Sequence, residues 1–254
     1  MGRLAGKVAI VTGAGRGIGE AIAAAFIREG ATVVIAERDR ASGKAVAGRL
    51  GEQAMFVETD ITGQASVDGL QALVEHRFGR VDILVNNAGV NVFHDPLETS
   101  DEEWRRCFAV DLEGAWRVSR AVLPAMRAQR AGAIVNIASS HSFTIIPGTF
   151  PYPVAKHGLL GLTRSLAIEY AADNIRVNAI SPGYVETQLA VDYWAGFADP
   201  DAARQETYRL HPPQRICRPD EIAMTAVFLA SDEAPFINAA NIVVDGGRSV
   251  LYHD

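Results

Sequence analysis

Seven short runs of this chain are apolar through most of their length: KVAIVT (7–12), ATVVIAE (31–37), AMFVETD (54–60), VDILVNN (81–87), AIVNIAS (133–139), IRVNAIS (175–181) and ANIVVDGG (240–247). Runs this short and rich in β-branched residues fit strands buried on both faces. Helical patterns lie between them. In 17–29, Ile18, Ile22, Ala25 and Phe26 recur at helical spacing on one face, and Gly30 follows as a stop. Residues 64–78, 101–129, 152–172 and 219–230 also read as helices. Ser100 with Glu103 three residues on gives the third of these five a capping box, and Pro219 suits a first turn. Strands alternating with helices dictate a parallel sheet with helices on both faces. No linker, repeat or low-complexity tract interrupts the pattern, so 1–254 is expected to form a single doubly wound α/β domain. One long stretch, about 182–218, stands outside the alternation. It carries Pro182, Pro200, Pro212 and Pro213 with Tyr184, Tyr193, Trp194 and Phe197, and is expected to be a substrate-covering loop.

Composition narrows the function classes. The 254 residues are 48% hydrophobic and 21% charged, globular values that exclude wholesale disorder. The formal charge of −6 argues against a nucleic-acid partner. No run of about 18 apolar residues offers a membrane span. The N-terminus lacks a long apolar signal region, and Gly6 stands where a myristoylation signal needs Ser or Thr. Two cysteines, Cys107 and Cys217, give no disulfide framework and no metal-ligand pattern. A soluble cytoplasmic protein without a metal is the expectation.

TGAGRGIG (12–19) places Gly13, Gly17 and Gly19 between a strand and a helix. Glycines there allow a tight turn and a close approach of pyrophosphate to the backbone, and the helix N-terminus offers free N–H groups. An ordinary βα turn reads similarly. Glu37, 18 residues after Gly19, ends the second run. A carboxylate there accepts from adenosine ribose hydroxyls and repels a 2′-phosphate, so NAD is preferred over NADP. Arg16 and Arg38 pull the other way. Asn86-Asn87-Ala88-Gly89 ends the fourth run with small residues suited to a cofactor wall, although such a motif alone is more often a turn. Ser139 ends the fifth run, and Tyr152 and Lys156 follow, four residues apart on one helix face. A phenol is a poor base at neutral pH, a neighbouring ammonium favours phenolate, and a hydroxyl can orient a developing alkoxide. The trio suits proton exchange with a carbonyl or alcohol oxygen. A Tyr–Lys step alone is commonplace.

Taken together, and in this order along essentially the whole chain, these motifs resemble the short-chain dehydrogenase/reductase family. TGAGRGIG resembles its cofactor loop, with contacts at Gly13, Arg16, Gly17, Ile18 and Gly19. Asp60 and Ile61 in TDIT resemble its adenine contacts, and Asn87, Ala88 and Gly89 its sheet motif. Ser139 with YPVAK (152–156) matches its catalytic Ser and Tyr-x-x-x-Lys. SPGYVET (181–187) is similar to the segment whose Pro182, Gly183, Val185 and Thr187 approach the nicotinamide half. The resemblance implies a Rossmann domain with strand order 3-2-1-4-5-6-7, a homotetramer, and hydride transfer to or from NAD. Tyr152 would exchange the proton, and Lys156 would lower its pKa and bind the nicotinamide ribose. One position departs from the pattern. Where the family usually has an Asn holding a water beside the Lys, this chain has Asp111, which when ionised accepts but cannot donate.

For the substrate, Ser139, His141, His94 and Tyr184 are the expected contacts. Polar residues in 90–97, 139–152 and 182–215, Trp194 and Gln188 among them, favour a small sugar or polyol. The sequence as a whole also resembles sugar-oxidising members of the family. A reductase of 3-oxoacyl thioesters using NADPH is the rival; Glu37 and the acidic charge weigh against it. A non-catalytic nucleotide sensor on the same fold would be expected to lack Tyr152 or Lys156.

Overall fold

Val8–Thr12 (β1), buried at every residue, lies inside a seven-stranded parallel sheet. It pairs on one side with Thr32–Glu37 (β2), which pairs with Ala54–Glu58 (β3). On the other side come Ile83–Asn86 (β4), Gly132–Ile137 (β5), Ile175–Pro182 (β6) and Asn241–Val244 (β7). The order is therefore 3-2-1-4-5-6-7, and it reverses direction between β1 and β4. In such sheets that reversal opens a crevice at the strands' carboxyl ends. The computed structural model describes residues 2–251; Met1 and residues 252–254, the ends of the expected domain, lie outside the described residues.

Pleating divides the core in two. Ala9, Val11, Val33 and Ile35 pack with Ile22 and Phe26 of helix Gly17–Arg28 (α1) and with Ile222 and Val227 of the helix at Pro219–Ala230. Val8, Ile10 and Val34 join Val67 and Leu70 of the helix at Gln64–Phe78, and Val118 and Val122 of the helix at Ala115–Gln129. The central strands thus bury both faces, which is why their runs are apolar rather than alternating. Burying one such side chain contributes about 1.5–3 kcal/mol.

The chain departs from the periodicity in three places. Arg40–Leu50 (α2) is a helix that the hydrophobic pattern does not announce. It buries only Gly43 and Val46, and is started by Asp39, whose carboxylate accepts from the Ser42 N–H. The expected helix at 101–129 is interrupted. Gln64–Phe78 (α3) precedes it; Asp101–Phe108 (α4) opens with the Ser100–Glu103 capping box, Ala109–Gly114 is π-helical, and Ala115–Gln129 (α5) resumes. After Tyr152–Tyr170 (α6), the stretch at 182–218 is not one covering loop. It contains Gln188–Ala195 (α7) and Pro200–Arg209 (α8) before Pro219–Ala230 (α9). Asp199 caps α8 through the Ala202 N–H, and Trp194 Nε1 donates to Thr207 Oγ1 at 3.0 Å, tying α7 to α8. Among the described residues no helix is long and apolar enough to cross a membrane.

Candidate active site

The glycine turn after β1 is built for close approach. Gly13 and Gly17 have φ of +62° and +60°, in the left-handed region that favours glycine. A Cβ on Gly13 would lie 2.7 Å from the Ala88 Cα. On Gly19 it would lie 2.4 Å from the Gly13 carbonyl oxygen and 2.5 Å from Asn87 Nδ2. Asn87 locks the two strand ends together, its side-chain amide donating to the Thr12 and Gly13 carbonyls at 3.0 and 2.9 Å. Thr12, not singled out by the motif reading, completes the joint. Its hydroxyl accepts from the Asn87 and Ala88 N–H groups and donates to the Val85 carbonyl. Arg16, exposed at the N-cap of α1, makes no side-chain cap, so the helix terminus keeps its donors for an anion.

The remaining cofactor candidates surround this turn. Glu37 folds its carboxylate over the loop, accepting from the Gly15 N–H at 3.1 Å and the Asp39 N–H at 2.9 Å. Asp60 accepts from the Thr62 hydroxyl and N–H, which hold its carboxyl below the usual range. Ile61 is buried and would touch any Cβ on Gly114 of the π-helical segment. Ile18 packs at the edge of the core. Pro182 ends β6, the Gly183 N–H donates to the Val244 carbonyl, and Val185 bridges to Cys217. Thr187 comes within 3.3 Å of where a Gly17 Cβ would stand, so the two cofactor segments meet. A left-handed glycine turn, an uncapped helix end and a carboxylate over the loop fit a nicotinamide dinucleotide.

Ser139, Tyr152, Lys156 and Asp111 converge beside Gly89. Ser139 ends its strand at a short turn, Ser140–Ser142, and accepts from the His141 N–H at 3.2 Å. Its side chain acts on the Tyr152 phenol, pulling its pKa down. Lys156 Nζ lies 5.4 Å from the Tyr152 ring centroid and donates to the Ile137 carbonyl at 3.2 Å. It also meets Asp111 Oδ1 at 3.2 Å, with both side chains essentially out of solvent. The contact between lysine and carboxylate is therefore direct, where the resemblance implied a connection through water. The π-helical segment carries Asp111 into the cluster. A Cβ on Gly89 would lie 2.8 Å from Asp111 Oδ1, so glycine there makes room for the pair. The Val90 N–H reaches both carboxylate oxygens at 3.3 and 3.4 Å, and Cys107 Sγ stands 3.9 Å from Oδ2. Cys107 is a neighbour that no motif announces.

The electrostatics follow from burial. Burial raises the Tyr152 pKa; Lys156 pulls it down and Asp111 pushes it up, the lysine more strongly. The lysine does not by itself bring the phenol below its ordinary value here. Burial also raises Asp111 despite Lys156. Burial depresses Lys156, but Tyr152 and Asp111 together outweigh it and the ammonium is held above its ordinary range. Burial beside Asp111 pushes the Cys107 thiol up to about 12, so it stays protonated.

The expected substrate contacts have different neighbours. His141 stays beside Tyr152, ring centroids 5.8 Å apart. His94 is engaged elsewhere, Nε2 at 2.8 Å from Glu103 Oε1 of α4. Tyr184 packs edge-on to His211 at 5.6 Å, and burial raises its pKa. Among the described residues no group of three or more His, Cys, Asp or Glu could hold a metal ion.

The chain matches a family model described as enoyl-(acyl carrier protein) reductase over residues 13–249. It shares 38% identity with the crystal structure of a candidate short-chain dehydrogenase/reductase from Burkholderia xenovorans, with all of each chain covered and a TM-score of 0.95. The chain belongs to the short-chain dehydrogenase/reductase family. As a family member it is an oxidoreductase that uses a nicotinamide dinucleotide. D-threitol dehydrogenase of Mycolicibacterium smegmatis is 39% identical over 98% of this chain and 95% of its own. The 3-ketoacyl-(acyl-carrier-protein) reductase of Brucella melitensis, solved with NADH, is 36% identical over 97% of this chain and 99% of its own, TM-score 0.89.

Proposed function

We propose that this oxidoreductase is an NAD-preferring dehydrogenase of small hydroxylated compounds, sugars or polyols. The observation that carries the reading is the convergence of Ser139, Tyr152, Lys156 and Asp111 beside a glycine turn fit for a dinucleotide. Ser139 orients the reacting oxygen. Tyr152 takes the alcohol proton, or returns it in reduction. Lys156 favours the phenolate and binds the nicotinamide ribose, and Asp111 holds the ammonium in place. When bound, the nicotinamide supplies the hydride acceptor or donor. Gly13, Arg16, Gly17, Ile18 and Gly19 bind the pyrophosphate side, Asp60 and Ile61 the adenine, and Pro182, Gly183, Val185 and Thr187 the nicotinamide side. The threitol relative supports a polyol substrate. The Brucella relative supports the rival reading, a 3-oxoacyl thioester reductase. Residues 1–254 act as one domain, the protein is cytoplasmic, and it assembles as a homotetramer.

Glu37 supports NAD. Its carboxylate is pinned by two backbone N–H groups and cannot swing aside for a 2′-phosphate without losing both. NAD should exceed NADP at least tenfold in kcat/KM, about 1.4 kcal/mol. Glu37→Ala should narrow that gap. The test is a screen of sugars, polyols and 3-oxoacyl thioesters with each cofactor, followed by reduced-nicotinamide absorbance. Turnover of polyols with NAD supports the reading. Turnover confined to thioesters with NADPH overturns it.

A further inference from the structure

The polar groups expected to line the substrate side are mostly spent. His94 is held by Glu103, Trp194 by Thr207, and Gln188 donates to Asp192 at 2.9 Å. His141 is different. Its Nδ1 is buried without a hydrogen-bond partner. Its ring stands 5.8 Å from Tyr152 and 6.2 Å from Phe93, and Phe93 and Tyr152 are 5.4 Å apart, so the three rings pack together at the reacting phenol. The turn that holds His141 is the turn that holds Ser139, because the His141 N–H donates to the Ser139 hydroxyl. The backbone that carries the imidazole is thereby tied to the Ser139 hydroxyl.

A buried polar atom left unpaired costs about 1–3 kcal/mol, and a ligand that pairs it recovers that cost. Burial lowers the His141 pKa, so the imidazole is neutral, with one N–H to donate and one lone pair to accept. A hydroxyl has the same two capacities. Phe93, 39% exposed, is the ring neighbour free to yield as a ligand enters.

We propose that His141 binds a second oxygen on the carbon next to the reacting carbinol, so that the favoured substrates are vicinal diols and, in reverse, α-hydroxyketones. This rests on the dehydrogenase reading above. In the oxidation the carbinol C–H bond breaks and its hydrogen leaves with the bonding pair as hydride, for which the nicotinamide would supply the acceptor when bound. The O–H proton goes to Tyr152 and a C=O bond forms. The neighbouring hydroxyl is unchanged and stays with His141. The apolar rings of Phe93 and Tyr152 then meet the carbon skeleton between the two oxygens.

The test compares kcat/KM for matched pairs, 2,3-butanediol with 2-butanol and cis-1,2-cyclohexanediol with cyclohexanol, in the parent, His141→Phe and His141→Gln. The parent should favour each diol by roughly 10- to 100-fold. His141→Phe should bring that ratio close to one, and His141→Gln, which keeps a donor and an acceptor, should restore part of it. A parent indifferent to the second hydroxyl overturns the assignment, as does a Phe variant that keeps the preference. If the Phe variant is inactive on every compound, the Gln variant decides: a retained diol preference upholds the assignment, and an active Gln variant without it overturns it. Failure of the underlying reading looks different: the parent then oxidises none of the four compounds or any other alcohol.

Discussion

Asp111 shows how one residue resets a site. The family's usual Asn is neutral, whereas this carboxylate meets Lys156 directly in a buried pair. Removing one partner of such a pair leaves the other uncompensated and costs about 3–5 kcal/mol. Asp111→Ala should therefore lower both stability and turnover, read by thermal melting and steady-state rates. Asp111→Asn still accepts from the ammonium and should remain active. Its pH profile should move, and the sign follows from the charges around Tyr152. Asp111 disfavours phenolate and Lys156 favours it. Deleting the carboxylate's charge lowers the phenol pKa, so the rising limb of kcat in the oxidative direction should shift to lower pH. A dead Asn variant, or an Ala variant indistinguishable from the parent, would contradict this role. The Ser, Tyr and Lys were legible only in company with the glycine loop and the other motifs, since a Tyr–Lys step alone is commonplace. The direct lysine contact was not, because it depends on a π-helical segment and on the space left at Gly89. Nor does sequence spacing reveal that Glu103 faces His94.

Among the elements, β1 and α1 were plain in the sequence, because an apolar run, a glycine turn and one helical stripe coincide there. Gly19 makes that junction testable. Its absent Cβ would collide with backbone at Gly13, which cannot move aside as a flexible side chain would. Gly19→Ala should weaken dinucleotide affinity at least tenfold by titration calorimetry; unchanged affinity would show that the turn does not hold the cofactor. Helix α2 was hidden because it buries only Gly43 and Val46 and has no apolar stripe to display. Helices α7 and α8 were masked by prolines and aromatics that read as irregular chain. In fact Pro200 occupies the first turn of α8 and Asp199 caps it. Loss of that cap in Asp199→Ala should cost about 1 kcal/mol, seen as a melting-temperature drop of roughly 2–4 °C. No change in melting would mean that α8 does not limit the stability of the fold.

Over the whole molecule, the strands were legible one by one, but their order was not. Periodicity says that a run is buried and is silent about its neighbours, so the order 3-2-1-4-5-6-7 rested on the resemblance until the pairings were seen. Assembly is the other whole-molecule question. Trp116, with the Arg120 guanidinium 4.4 Å from its ring centroid, is 41% exposed on α5, and Ile168 on α6 is 74% exposed. Apolar surface of this kind suits contact between copies. Sedimentation should show a tetramer, and Trp116→Arg should release smaller species; a parent that sediments as a monomer would contradict the assembly. The central claim, that a half-buried tyrosine moves the proton in an otherwise cofactor-driven oxidation, has a more direct test. In Tyr152→Phe the ring stays and the hydroxyl goes, so the measurement is kcat on a polyol oxidised by the parent, beside dinucleotide affinity. The account predicts a fall in kcat of about 10²–10⁴-fold with affinity nearly unchanged. A Phe enzyme that keeps half of the parent's turnover would contradict it.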